Sequence, residues 1–390
     1  MKRRHWAHIV ALAALAVAFA AAVPAAASEP AAAGAEPAPA GAGSGRGASG
    51  ASATAVAYLQ ARAAALTAAD PAAVLSPYLA TGSVLARNEA RLASGTALRY
   101  QDTGRTVDSA TCKVTILDVQ PAEDGVTTSV GARAITTVTW RTAAGKTDIE
   151  ASGIDHTLLL TWAGDRWSVA SDAYADDTRA ACLEAAGASR AQVRSAARAV
   201  EQLAPPLTLP KTTARRSPLA ARRYTDIIDY DRPGAQDYGD TYALSYNPTF
   251  ARFDGVDCAN FASQCARAGS MPQTSGSATS GWWYSKGGTS SPSNDTYSLS
   301  WINVTRQMGY WNGRRTDWET SAGVLSRGDF IYYDWSGDGV WDHVAMVAGT
   351  NSAGQKVIDA HTTDHYRVFW KLGSSSTKYK FARVRASWVI

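Results

Sequence analysis

A proline- and arginine-rich stretch, residues 186–222, divides this chain of 390 residues and limits what either side can fold into. It contains Pro205-Pro206, Pro210, Arg215-Arg216 and Pro218. Proline removes a backbone donor and pushes the residue before it out of the helical region, so no long helix or central strand runs through such a segment. A short helix before the prolines and an extended linker after them are expected. The remaining sequence must then build separate cores, which at this length means two folded domains, 53–185 and 223–390. Residues 28–52 are almost entirely Ala, Gly, Pro, Ser and Glu, too poor in apolar side chains to offset the entropy of ordering, and read as a leader. Ahead of them, Lys2, Arg3 and Arg4, an apolar run from Ile9 to Val23 and the small residues Ala25 to Ala27 have the order of a secretory signal, residues 1–27. That run is shorter than the roughly 20 residues a membrane span requires. A secreted protein without a stable membrane span is expected, and a net charge of +4 gives no basic density for nucleic acid.

In the first domain, Leu59, Ala63 and Leu66 recur at helical spacing, and strand-forming runs follow at 114–117, 134–140 and 156–162. The turn Ala163-Gly164-Asp165-Arg166 leads into a further strand at Trp167. Helices followed by an antiparallel meander make an α+β domain, whose order resembles the NTF2-like and cystatin-like folds. His156 and Asp155 read as packing residues at a strand start and are assigned no chemistry.

Beyond Tyr224 the composition turns rich in Tyr, Trp and Gly, and three runs there carry chemical content. In Phe253–Cys265, Asp257 reads as the N-cap of a helix that ends at Gly269, with Cys258 in its first turn. A thiol there is expected to have a lowered pKa, because unpaired N–H groups and the helix dipole favour thiolate, and the same groups can donate to an oxyanion. Cys265, about 10 Å along the helix, is too far to bridge to Cys258, while Cys112 and Cys182 can pair within the first domain. In the second run, strands 330–334 and 343–347 flank a turn rich in Gly and Asp, with His343 opening the second strand. A helix-capped cysteine and a histidine on a core hairpin form a Cys/His pair assembled by the fold. In the third run, Asp359 and His361 alternate onto one face of a short strand, each placed to orient His343.

Residues 222–385 resemble the putative amidase domain family of secreted bacterial proteins, within the papain-like class that includes the NlpC/P60 and CHAP wall hydrolases. The resemblance rests on Tyr230-Asp231-Arg232, Tyr246-Asn247, Asp257–Gln264, Gly281-Trp282-Trp283, Ser300-Trp301, Gly328-Asp329-Phe330 and Asp338–Val344. It implies a papain-like α+β domain with Cys258 as nucleophile and His343 as general base and acid. His361 is the implied third member, with Asp359 as the alternative. Tyr246 and Asn260 are candidate oxyanion or substrate-binding groups, and Trp282 and Trp283 candidate aromatic surface for sugar or peptide. The implied activity is cleavage of an amide bond through a thioester, with peptidoglycan or a peptide as substrate and no cofactor. A non-catalytic wall- or glycan-binding module and a transacylase using the same pair are the alternatives. Asp334–Asp342 also matches the start of a calcium loop, but position twelve is Ala345, where a carboxylate is needed, so no metal is assigned.

Overall fold

A computed structural model describes residues 45–80, 83–202, 227–287 and 292–389. The signal at 1–27, the leader up to residue 44 and the linker from 203 to 222 lie outside the described residues. The chain is a mixture of helix and antiparallel sheet, as the patterning implies, and it divides into two compact units.

The first unit holds the described residues through Ala93, with Cys112–Ala134 and Asp155–Tyr174. Helix α1 (Ala48–Ala64) begins ahead of the expected Ala53 and buries Ala51, Ala55, Tyr58 and Leu59 along one face. Asp70 caps α2 (Pro71–Leu75) by accepting from the Ala72 and Ala73 N–H groups, and Pro71 sits where its missing donor costs nothing. Helix α3 (Val84–Asp102) precedes four antiparallel strands, β1 (Arg105–Pro121), β2 (Thr127–Thr142), β3 (Thr147–Ala163) and β4 (Arg166–Tyr174). Strands β3 and β4 pair from His156↔Tyr174 to Ala163↔Arg166 across the expected turn, where Gly164 has φ +72°. His156 is buried, with Nδ1 2.8 Å from Asp172 Oδ1, as a packed residue would be.

The second unit takes Ser94–Thr111, Ile135–Ile154 and everything from Ala175. Two helices, α4 (Arg179–Ala185) and α5 (Arg190–Gln202), open it, the latter inside the stretch read as linker. Next come β5 (Ile227–Asp229), α6 (Arg232–Tyr242) and α7 (Cys258–Ala268). A small hairpin, β6 (Tyr284–Ser285) with β7 (Thr296–Tyr297), precedes α8 (Leu299–Ile302) and α9 (Val304–Trp311). The strands that follow are β8 (Thr316–Glu319), β9 (Phe330–Asp334), β10 (His343–Thr350), β11 (Lys356–Ala360), β12 (Asp364–Phe369), β13 (Lys378–Val384) and β14 (Ser387–Val389). The sheet order is β12-β11-β10-β9-β13-β8, and Ala151–Gly153 of β3 adds beside β12.

This sheet is covered on both faces, which explains why β9 and β10 read as continuous apolar runs. On one face Val344 and Met346 pack with Cys258, Phe261, Ala262 and Trp282 of the helical layer. On the other, Ala345 and Val347 pack with Ala180 of α4 and Val193 and Ala197 of α5. The residues expected to form part of a linker therefore include a helix that buries one side of the central strands. None of the four cysteines is in a disulfide, so the expected pairing of Cys112 with Cys182 is not made.

Candidate active site

Three pieces of chain converge on Cys258. Helix α7 begins at this residue because the following positions, Ala259 to Ala266, are all buried and hold the first turn against the sheet. Cys258 itself is 4 % exposed. Its Sγ lies 4.0 Å from Asp342 O, and the Val344 and Ala259 N–H groups face it. The sulfur thus rests against the backbone on either side of His343. From the third piece, the turn between β11 and β12, the Thr362 hydroxyl faces the sulfur and stabilises its thiolate form. That hydroxyl makes no ordinary hydrogen bond, and Thr362 has φ +95°, a strained conformation for a β-branched residue.

The electrostatics differ from expectation. Burial pushes the Cys258 thiol up to about 11, more than the facing N–H groups and Thr362 lower it. Asp257 adds to the rise and does not cap the helix. Its carboxylate instead accepts from Phe253 N–H (2.9 Å) and Asn260 Nδ2 (3.0 Å) and meets His361 Nδ1 at 2.7 Å.

His343 is placed by its hairpin. Asp334 accepts from the Gly337, Asp338 and Gly339 N–H groups, and Asp342 from Trp335 N–H, which folds the β9–β10 turn and engages the carboxylates of the supposed calcium loop. His343 pairs with Tyr333 across the ladder, and its ring centroid is 5.4 Å from those of Tyr333 and Trp335. It is 2 % exposed, and burial lowers its pKa to about 4 against the opposing pull of Asp177. No hydrogen bond joins His343 to Cys258 among the described residues, and His343 Nε2 is buried without a partner.

Neither expected third member touches His343. His361 and Asp359 do share a face, as alternation requires, but it is the face toward α6 and α7. His361 Nε2 donates to Tyr242 O at 2.8 Å while Nδ1 donates to Asp257, so both nitrogens carry protons, and the Asp257 partner outweighs part of the burial cost to raise its pKa. Its ring stacks on Phe261 at 4.0 Å. These contacts fix the start of α7 and leave no nitrogen for His343. Asp359 accepts from Arg367 N–H at 2.8 Å, and burial, with Asp240 nearby, pushes its pKa well above the carboxylate range. Because its folded pKa is raised, the fold loses stability as pH climbs above the unfolded carboxyl value of about 3.9. Asp359→Asn should therefore have a higher thermal midpoint than wild type at pH 8, with the gap closing toward pH 4. A wild-type midpoint at both pH values contradicts this, and circular dichroism melts measure it.

The other candidates are committed to structure. Tyr246 donates its hydroxyl to Asp364 Oδ1 at 3.0 Å. Asn260 donates to Ala251 O and Asp257 and accepts from Trp301 Nε1, leaving nothing for an oxyanion. Trp282 is fully buried, its ring centroid 4.9 Å from that of Trp301, and is core; Trp283 is half-buried, with Nε1 bonded to Ser277 O. Sequence reasoning missed Thr362, for which a Thr between two polar residues gives no signal, and Asp177, which lies far upstream.

Comparison with known proteins bears on the same residues. Residues 229–384 match the family model described as a putative amidase domain. The uncharacterized protein YhbB of Bacillus subtilis (strain 168) is 30 % identical over 167 residues, covering 40 % of this chain and 51 % of the relative. The chain thus spans about half the length of this curated relative. Among solved structures, the intermembrane space region of chloroplast protein ARC6 aligns with 33 % of this chain and 95 % of its own, at 14 % identity and TM-score 0.25, too slight a likeness to carry an argument.

Proposed function

Residues 229–384 belong to the putative amidase domain family, and from that premise we propose that the chain is a secreted cysteine amidase that cleaves an amide bond in peptidoglycan. The observation that carries the reading is the setting of Cys258, at the first turn of a helix with its sulfur against the backbone that flanks His343. In this reading His343, whose ring rests beside Tyr333 and Trp335 on the face of the sheet away from α7, turns at the strand start to reach the thiol, where a neutral imidazole is the base and the protonated thiol its acid. Sγ attacks the carbonyl carbon, an S–C bond forms, and the thiol proton passes to His343. Collapse of the tetrahedral adduct breaks the C–N bond, and His343 returns that proton to the departing amine. Water then adds to the thioester, giving one proton to His343. The C–S bond breaks, the thiolate regains its proton, and a carboxylic acid leaves. The first turn of α7 has no side-chain cap, so its N–H groups suit the oxyanion.

Peptidoglycan is proposed from the resemblance to bacterial wall hydrolases together with the signal-like N-terminus. Incubating the purified protein with isolated peptidoglycan tests both parts. New amino groups in the soluble fraction, with a transient acyl adduct on Cys258 by intact mass, are expected. Binding to the wall without any bond cleavage would instead favour a wall-binding module.

A further inference from the structure

The row of residues that meets Cys258 on β10 continues across the sheet to a cation. Val344, which packs with Cys258, pairs with Tyr332 of β9, and Tyr332 pairs on its other side with Lys380 of β13. Directly opposed residues share a face, so Lys380 lies on the Cys258 side of the sheet, two strands or about 10 Å from Val344. Its neighbours on that face of β13, Ala382 and Val384, are buried and apolar. A lysine in that series marks where the core opens to solvent, with its stem along apolar surface and its ammonium in water. Lys380 Nζ stands between two half-buried indoles, 5.1 Å from the ring centroid of Trp318 and 5.2 Å from that of Trp341. Trp341 immediately precedes Asp342, whose carbonyl oxygen is 4.0 Å from Cys258 Sγ, and its own carbonyl accepts from Thr305 Oγ1 of α9 at 3.4 Å. Beside it Val340 is 57 % exposed and extends the apolar surface.

Among the described residues no carboxylate pairs with this ammonium. The acids of the adjoining strand, Asp317 and Glu319 of β8, alternate to the other face and pair with Arg385 and Arg383. Asp342 turns its carboxylate to Trp335 N–H. A partly exposed cation held between aromatic faces, close to a nucleophile and without a counter-ion, suits an anion carried by the substrate. We propose that Trp318, Lys380 and Trp341 form a substrate subsite that takes a carboxylate on the chain bearing the scissile amide, with Lys380 pairing the carboxylate and the two indoles covering the aliphatic carbons beside it. The proposal rests on the reading of Cys258 as nucleophile. An extended peptide advances about 3.4 Å per residue, so a separation of about 10 Å puts the carboxylate two to three residues from the carbonyl under attack. The site thereby selects acidic peptides over neutral ones of the same length.

The test uses the full chain and peptidoglycan solubilised by a muramidase, either native or with its free carboxylates amidated by carbodiimide and ammonia. New amino groups are read against substrate concentration, with folding followed by circular dichroism. Lys380→Gln should raise KM for the native substrate about tenfold with kcat nearly unchanged, and Lys380→Arg should restore most of that loss. Wild type on the amidated substrate should match Lys380→Gln on the native one, and the variant should lose nothing more by amidation. An unchanged KM in Lys380→Gln, a fall in kcat at fixed KM, or an equal loss on both substrates overturns the proposal. If Lys380→Gln does not fold, equal wild-type KM values for the two substrates do the same. Should peptidoglycan release no amino groups, or Cys258→Ser cleave as well as wild type, the amidase reading has failed on its own. The subsite is then judged by binding of N-acetylalanylalanine and its C-terminal amide, read from the indole NMR signals that Trp318→Phe and Trp341→Phe remove. Shifts of those signals with the acid, about tenfold weaker affinity for the amide, and loss of that preference in Lys380→Gln are expected. No shift with the acid, or equal affinity for the two, overturns the proposal.

Discussion

Cys258→Ser should lower amide hydrolysis by about a thousandfold or more while leaving the fold intact, since the hydroxyl fills the same buried space but is a far weaker nucleophile without a matched base. The wild-type thiol should nevertheless look inert. With its pKa pushed up to about 11, roughly one Cys258 in ten thousand is thiolate at pH 7, against about three in a hundred for an ordinary thiol. Iodoacetamide should therefore modify Cys258 about 300-fold more slowly than a solvent thiol at pH 7, with a rate that climbs about tenfold per pH unit. Mapping the modified peptide across pH measures this. Rapid alkylation below pH 7 would show a standing thiolate and remove the need for His343 as a base. The helix N-terminus was expected to supply such a thiolate, and the magnitudes explain why it does not. A helix dipole contributes about 0.3–1 kcal/mol, whereas the net rise from an ordinary thiol's value of about 8.5 to about 11 is about 3 kcal/mol against the charge.

What could be read in the sequence tracks how local its cause is. The hairpin that presents His343 was legible because its turn chemistry and its two apolar strands lie within twenty residues. The same holds for α7, whose apolar content and terminal Gly269 set its limits. The β1 ribbon was read too short, because its first half, Arg105–Thr111, is polar and half-exposed, and its strand character comes from ladder partners. Asp257 was read as a cap from its type and place, yet a carboxylate that finds a buried imidazole at 2.7 Å gains more from the ion pair than from a backbone donor. Asp177 had no local signal at all. Its partner His365, 2.8 Å away in the fold, lies 188 positions along the chain, and no spacing rule spans that distance.

His361 offers the sharpest test between the two ways of reading the third strand. The structure makes it an anchor: a cationic imidazole 2 % exposed, bonded to Asp257 and Tyr242 O, clamping the start of α7 to the end of α6. Removing one partner of a buried pair leaves the other charge uncompensated, so His361→Ala should cost about 3–5 kcal/mol in stability. The pH dependence has a defined sign. The folded pKa of His361 is raised above its unfolded value of about 6.5, so its contribution is complete below that value and is lost as pH rises through the folded one. The gap between wild type and His361→Ala should accordingly be widest at pH 6 and narrow above pH 7 in urea denaturation. A member of the catalytic relay would behave otherwise, losing hydrolysis in molecules that remain as stable as wild type. An anchor instead loses activity only as far as the start of α7, and Cys258 with it, comes loose from the sheet. His361→Gln, which keeps a donor for Asp257 but not the charge, should fall between wild type and alanine in stability and keep most of the hydrolysis. Stability equal to wild type with hydrolysis abolished would return His361 to the reaction.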